Sequence, residues 1–277
     1  MGFQINTNLA AMNAYRNLSA NQASLSTSLE RLSSGLRINR AADDAAGLAI
    51  SESLRAQTNG LNQATSNAQD AISLIQTAEG GLNETHAILQ RMRQLTVQAG
   101  NDTNDAAART NITAEIAQLN TELDKIAGTT QFNGQQLLDG THNTVLTAFS
   151  FQVGANSGET MAVQLGVKAD STNLTTATVD VTSAANVSTS LTKIDAAITT
   201  VSGIRADLGA VQNRLQHRVN SLSVAAENTA AAESRIRDTD MAKEMTSFTR
   251  SQILQQAGVS MLAQANSAPQ SVLKLLG

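Results

Sequence analysis

The sequence predicts a mainly α protein in which long antiparallel coiled-coil helices from both chain ends flank a small β-hairpin region in the middle. Apolar residues recur in steps of three and four near both ends of the chain, as on one face of a supercoiled helix. Only 2% of the 277 residues are aromatic, so a bulky globular core is hard to build. Apolar and polar residues alternate clearly only in the middle.

The most regular segment covers residues 61–99, which predicts one long helix with a single apolar stripe. Stepping backwards in the same way adds Leu54 and Ile50, with Gln57 as a polar interruption. The adjacent Gly80 and Gly81 each cost about 1 kcal/mol relative to Ala in a helix, but the register continues across them. The stripe comprises Leu61, Ala64, Ala68, Ala71, Ile75, Ala78, Leu82, Thr85, Leu89, Met92, Thr96 and Ala99.

A second stripe lies in residues 1–36 and predicts a helix that ends at Gly35. Its partner is either another helix of the same chain or a helix of a neighbouring subunit, and polar residues off the stripe make the helix marginal alone. The stripe comprises Ala11, Tyr15, Leu18, Gln22, Leu25, Leu29, Leu32 and Leu36.

Asp43 and Asp44 precede the next apolar-periodic segment, where carboxylates accept unpaired backbone N–H groups and meet the positive helix end. Paired carboxylates also occur in acid–base and metal sites. No histidine, third carboxylate or nucleophile accompanies these two, so helix capping is the favoured interpretation.

After a loop at residues 100–105, a third helix is predicted to run antiparallel to the long one and to stop at Gly128. Its apolar positions are Ile112, Ile116, Leu119, Leu123 and Ile126.

Alternation at Phe149, Phe151 and Val153, and again at Met161, Val163, Leu165 and Val167, predicts a hairpin around a turn at residues 155–158. Asn133 and Gly134 indicate a further turn. Residues 168–190 have few large side chains and are predicted to be surface loop or edge strand.

From Leu191 a helical stripe returns with Ile194, Val201, Leu208, Leu215, Leu222, Thr229 and Ile236, and Met241 and Met245 continue the apolar side. Pro269 is predicted to stop this helix. The predicted organisation is a first helix and loop at 1–43, further helices at 44–130, a hairpin and variable tip at 131–190, a returning helix at 191–236, and a last helix at 237–277.

Composition excludes several classes of function. The net charge is −4 with no basic block, which argues against nucleic-acid binding. The absence of cysteine excludes disulfides. No apolar run is long enough to span a bilayer, and the N-terminus lacks the pattern of a secretory signal. We therefore expect a cytoplasmic protein or one exported by another route.

The ordered motifs of both ends closely resemble bacterial flagellin, in a short form without large outer domains. The resemblance covers roughly residues 1–167 and 190–277. It rests on INTNLAAMNA, SLERLSSGLRINRAADDAAGLAISESL, QRMRQLTVQAGN, TTQFNGQQLLDG, AAAESRIRDTDMAKEM and SVLKLLG.

This resemblance implies a structural subunit that polymerises into the flagellar filament used for motility. It also implies export through the flagellar type III channel without a cleaved signal peptide, with a chaperone on the C-terminal segment, and partners in the filament cap and hook-junction proteins. The implied localisation is the extracellular filament. Residues assigned to self-assembly are Leu18, Leu25, Leu29, Leu32, Val259, Leu262, Val272, Leu273 and Leu276.

The resemblance further implies recognition by the vertebrate Toll-like receptor for flagellin at Arg91, Leu95 and Glu115. Arg91 and Leu95 are four residues apart on one helix face, just beside the Met92 and Thr96 stripe. We therefore predict that Leu95 is only partly buried. The alternative is that Leu95 widens the core stripe and Arg91 is a solvated charge.

Two other functions are weighed against a filament subunit. A flagellar hook–filament junction protein would share the end helices, but the RINRAADDAAGLAI and SVLKLLG blocks favour flagellin. An enzyme would require a protease insert, yet H-E-x-x-H is absent and His86, His142 and His217 lack metal-ligand spacing. We therefore predict no enzymatic activity, no metal and no cofactor.

Overall fold

The computed structural model describes residues 8–142, 147–166 and 168–276, without the side chains of Ala184 and of residues 268–276. The helices in that part of the chain are α1 (Leu9–Ser34), α2 (Ala45–Ala99), α3 (Ala106–Thr129), α4 (Ala184–Arg237) and α5 (Met241–Leu276). Between α3 and α4 lie the short strands β1 (Gln131–Phe132), β2 (Gln135–Gln136), β3 (Phe149–Gln152) and β4 (Thr160–Val163). The predicted fold class is confirmed.

The chain divides into two units. The terminal unit comprises Met1–Ala56 and Asn228–Gly277, and the central unit comprises Gln57–Glu227. Helices α2 and α4 each contribute residues to both units.

The hydrophobic core of the central unit forms along α2. All twelve predicted stripe residues from Leu61 to Ala99 are buried, with Leu89 and Met92 fully enclosed. Helix α3 lies antiparallel to α2 on one side, since Arg91 pairs with Glu115 while Gly81 lies beside Thr130.

Helix α4 lies antiparallel to α2 on another side. Arg93 pairs with Asp195, and Glu79 pairs with Arg205. The predicted α4 positions Ile194, Val201, Leu208, Leu215 and Leu222 are all buried, which confirms the stripe in this unit.

The predicted helix ends are largely confirmed. Gly35 terminates α1 in the left-handed conformation with φ 74°, which glycine adopts without a Cβ clash. Asp44 caps α2, because its Oδ1 accepts the Gly47 N–H at 2.8 Å.

Asp43 acts differently: its Oδ2 accepts the N–H groups of Asn39 and Arg40 in the preceding loop. These bonds lower the pKa of Asp43 below its ordinary value.

Both predicted turns connect antiparallel strands. Asn133 and Gly134 take positive φ values of 50° and 79° between β1 and β2, as a two-residue hairpin loop requires. Strand β3 pairs with β4, with Phe149 opposite Val163.

The prediction that residues 168–190 bury little is wrong. Leu174, Thr176 and Val181 are buried, Thr176–Thr178 forms a 3-10 turn, and α4 begins at Ala184. Small side chains pack here because hydrogen bonds satisfy their polar groups. The Asp124 carboxylate on α3 accepts from the N–H and hydroxyl of Ser171 at 2.8 and 3.0 Å.

Two further predictions are wrong. Ile50 does not continue the stripe: it is exposed, while Ser51 is buried and donates its hydroxyl to the Leu48 carbonyl. Pro269 does not end α5, which continues to Leu276. A proline lacks the N–H that would bond the carbonyl of the residue four positions earlier, and that carbonyl, on Ala265, finds another donor described below.

Candidate functional sites

Helices α1 and α5 of the terminal unit pack against each other through a mixture of leucine, small and polar side chains. They lie antiparallel: Asn21 Nδ2 donates to the Ser251 carbonyl at 2.7 Å, and Leu18 lies over Gly258. The α1 residues on this seam are Ala11, Ala14, Leu18, Asn21, Leu25, Ser28 and Leu32. The α5 residues on it are Glu244, Phe248, Ser251, Gln255, Gly258, Leu262 and Ala265.

Asn8 connects the start of α1 to the C-terminal half of α5. Its Oδ1 accepts the Ala11 N–H at 3.0 Å as a helix cap, and its Nδ2 donates to the Ala265 carbonyl at 2.7 Å. That carbonyl is the one left without a helical donor by Pro269. The sequence analysis did not single out Asn8, although an Asn before a periodic segment is a recognisable capping signal.

A joint at the other end of this seam connects the loop after α1 to the segment after α4. Leu36 and Asp238 form an isolated antiparallel bridge, and the Thr239 N–H donates to the Gly35 carbonyl at 2.9 Å. Arg237 Nη1 donates to Glu52 Oε1 at 2.7 Å. This hydrogen bond is the largest cause of the lowered pKa of Glu52. No periodicity in the sequence indicated this pair.

The terminal unit buries little apolar surface and leaves much exposed. In the part of it that the structure describes, Ile38 is the single buried apolar side chain. Conversely, the large apolar side chains left exposed in the described chain belong to this unit, apart from Val97 and Val224. They are Leu9, Met12, Tyr15, Leu29, Ile50, Met241, Met245, Ile253, Leu254, Val259 and Met261. We call this set, which is distributed over α1, α2 and α5, the exposed apolar face.

The residues predicted for self-assembly fall into three groups. Leu18, Leu25, Leu32 and Leu262 are half-buried in the seam between α1 and α5. Leu29 and Val259 belong to the exposed apolar face. The side chains of Val272, Leu273 and Leu276 lie outside the described residues. The predicted α1 stripe therefore covers two surfaces, because Tyr15 and Leu29 point away from α5.

The predicted receptor residues lie on α2 and α3 of the central unit. Arg91 Nε and Nη2 both donate to Glu115 Oε1, at 3.0 and 2.7 Å, and both side chains are about half exposed. The prediction that Leu95 is partly buried is wrong, since only 2% of it is exposed. Helix α2 has neighbours on two sides, so its apolar stripe is wider than one seam and takes in Leu95.

The rest of the described chain offers little for chemistry. No group of three or more His, Asp or Glu side chains converges within it as metal ligands would. None of its helices is sufficiently long and apolar to cross a membrane. His86 and His217 lie on different helices, and His142 stacks on Phe149.

Long paired helices with an uncovered apolar face define a helical structural protein that carries a surface for association. The model of the bacterial flagellin N-terminal helical region matches residues 5–143, and the C-terminal helical region model matches residues 191–276. The flagellin of Halalkalibacterium halodurans is 54% identical over 98% of this chain and 99% of its own. This chain belongs to the bacterial flagellin family, and flagellin is the structural subunit of the flagellar filament.

Solved structures agree with that membership. A Bacillus cereus flagellin structure is 37% identical, with a TM-score of 0.50 over 61% of this chain and 94% of its own. A flagellar hook-associated protein from Vibrio parahaemolyticus has a TM-score of 0.60 over 71% of this chain and 100% of its own, but only 16% identity. That second likeness shows the fold alone. The high identity to flagellin over the whole chain therefore does not favour the hook–filament junction alternative.

Proposed function

We propose that copies of this chain polymerise into the flagellar filament by covering the exposed apolar face of the terminal unit. The contrast between Ile38 as the one buried apolar side chain in its described part and the large face left uncovered carries this proposal. A repeated interface that does not close on itself builds an open helical polymer. Fully burying one large aliphatic side chain contributes about 1.5–3 kcal/mol, so a few such residues per copy suffice to drive association.

In this proposal each predicted region of the chain has a role in the filament. Residues 1–43 and 237–277 form the filament core, residues 44–130 and 191–236 form the rod, and residues 131–190 form the tip. Leu18, Leu25, Leu32 and Leu262 hold α1 to α5, while Leu29 and Val259 meet a neighbouring copy. Val272, Leu273 and Leu276 are assigned to the same assembly role.

The exposed apolar face also needs cover before assembly. We propose that the subunit leaves the cell through the flagellar type III channel without a cleaved signal peptide, and that an export chaperone covers the C-terminal segment. Met245, Ile253 and Leu254 form an apolar strip on α5 that suits such a partner. The filament cap and hook-junction proteins are proposed to meet the same terminal helices at the two filament ends.

Substitution of one exposed residue tests the assembly surface. Ile253→Glu places a charge at a position that is 60% exposed, so the monomer should keep its helix content. Loss of one buried aliphatic side chain should raise the critical concentration for filament formation about tenfold or more. Sedimentation measures this critical concentration, and negative-stain electron microscopy shows whether filaments form. Filaments at an unchanged critical concentration would refute the proposed surface.

Val224→Glu is the matched control. Val224 is 58% exposed on α4 but lies in the central unit, and this variant should assemble normally.

Deleting the chain from Met241 onwards should give a soluble monomer that forms no filaments, and filaments from that truncation would contradict the pairing of the two chain ends. Short rings or stubs from the intact chain would instead indicate the junction protein.

A second proposal is recognition by the vertebrate Toll-like flagellin receptor at Arg91, Glu115 and Leu95. The exposed Arg91–Glu115 pair supplies the contact surface. Leu95, one turn after Arg91 and almost fully buried, acts indirectly by packing the α2 turn that carries Arg91 onto the core. Arg91→Ala should therefore reduce receptor signalling in a reporter cell assay, while the loss of an exposed ion pair costs the fold only about 0.2–1 kcal/mol.

The chain contains a matched control for this test. Arg93 makes an equivalent exposed ion pair from the same helix, with its Nε 2.7 Å from Asp195 Oδ1. Arg93→Ala should leave signalling unchanged. Equal loss from both variants would show that the receptor reads general charge on α2 rather than the Arg91–Glu115 surface.

A further inference from the structure

The methionines of this chain are divided sharply between the two units. Met12, Met241, Met245 and Met261, all in the terminal unit, are between 47% and 67% exposed. Met92, in the central core, is fully buried, and Met161 is partly buried against that core. Met1 lies outside the described residues. We call the four exposed residues the methionine set.

Three members of the methionine set, Met12, Met245 and Met261, line apolar grooves on the surface. Met261 lines a groove between α1 and α5 together with Leu18 and Gly258. Met12 lines a second groove together with Tyr15 and Leu262. Both grooves are predominantly apolar, so a polar group introduced there would lose water on association and find few donors.

The thioether is the reactive sulfur of this chain, because its sequence contains no cysteine. A peroxide is the oxidant this chemistry requires. The sulfur lone pair attacks one peroxide oxygen and forms an S–O bond, the O–O bond breaks, and the other oxygen leaves as water after proton transfer. The sulfur loses two electrons, the peroxide gains them, and the product is methionine sulfoxide.

We propose that oxidation of the methionine set by peroxide is a switch that makes free subunits unable to assemble. This inference rests on the proposed function, because it requires that association cover the exposed apolar face. Sulfoxide formation converts a flexible apolar side chain into a polar one, which disrupts methionine-rich interfaces. Association in turn removes these sulfurs from solvent, so subunits already in a filament are protected.

The test compares the full-length chain oxidised as monomer and as filament. Purified protein is treated with hydrogen peroxide in each state, the reaction is stopped with catalase, and sulfoxides are mapped by peptide mass spectrometry. In monomers the methionine set should oxidise at least about tenfold faster than Met92, and the same four residues should be protected in filaments. Oxidised monomer should show a critical concentration raised about tenfold or more.

Two variants separate surface chemistry from general damage. Substituting Leu at all four positions of the set conserves volume and should give a chain that assembles equally well before and after peroxide. Met92→Leu leaves the set intact and should remain peroxide-sensitive. Methionine sulfoxide reductase should restore assembly of the oxidised wild-type chain.

The outcomes are distinct. Unchanged assembly of monomer carrying all four sulfoxides would overturn the switch, as would peroxide sensitivity in the fourfold Leu variant. Equal oxidation rates in monomer and filament would show that association does not cover the set. Failure of the untreated chain to polymerise would instead refute the proposed function.

Discussion

The adjacent glycines Gly80 and Gly81 of α2 should respond oppositely to the same substitution. A β-carbon at Gly80 meets no heavy atom within 4 Å. A β-carbon at Gly81 would lie 2.8 Å from Thr130 Oγ1 and 2.9 Å from Leu138 Cδ1. Neither neighbour moves easily, because Thr130 Oγ1 donates to the Ile126 carbonyl at 2.7 Å and Leu138 is buried.

The magnitudes follow from two opposing effects. Replacing Gly by Ala inside a helix stabilises it by about 1 kcal/mol, which is the whole effect expected for Gly80→Ala. Gly81→Ala gains the same amount but overpacks a tight contact, which costs about 1–3 kcal/mol. The two variants should therefore differ by about 1–3 kcal/mol in the free energy of unfolding.

Thermal and urea unfolding followed by far-UV circular dichroism measure this difference. For a unit of this size, 1 kcal/mol moves Tm by about 2–4 °C. Gly80→Ala should raise Tm by that amount, and Gly81→Ala should leave it unchanged or lower it. A rise in Tm of the same size for both variants would refute the close approach of α2 to Thr130 and Leu138.

Two further predictions concern the two units separately. Leu89→Ala removes a fully buried side chain from the central core and should lower the free energy of unfolding by about 2–5 kcal/mol, measured by urea unfolding of the monomer. Glu52 has a pKa below its ordinary value of 4.5 because Arg237 donates to it, so its stabilisation is full above pH 4.5 and is lost as the pH falls through the folded-state pKa. Glu52→Gln should therefore be less stable than wild type at neutral pH and equal to it in stronger acid, in thermal unfolding across an acid titration.

The accuracy of the sequence analysis followed the strength of the apolar repeat. All twelve stripe positions from Leu61 to Ala99 were predicted correctly, since α2 must bury that stripe whatever its partners are. The same rule failed at Leu95, because the number of neighbouring helices sets the width of a stripe and periodicity does not encode that number. It also failed at Ile50, where the neighbouring Ser51 is the buried position of α2.

Segment composition and single helix-breaking residues predicted the structure less accurately. The burial of the segment around Thr176 was underestimated because it depends on long-range hydrogen bonds: Asn120 donates to the Thr176 carbonyl, and Asp124 accepts from the Ser171 N–H. Pro269 was taken as a helix end because the compensating donor, Asn8, is remote in sequence. Both errors arise from bonds between distant parts of the chain, which local patterns do not show.

The hydrogen bond between Asn8 and the Ala265 carbonyl makes the two ends of the polypeptide depend on each other. A subunit truncated past Asn8 at its N-terminus leaves the Ala265 carbonyl without this hydrogen-bond donor. A subunit without α5 leaves the Asn8 side-chain amide without this acceptor. Burying a polar group without a hydrogen-bond partner costs about 1–3 kcal/mol of free energy. A growing filament that excludes solvent from this region would therefore incorporate intact subunits in preference to truncated ones.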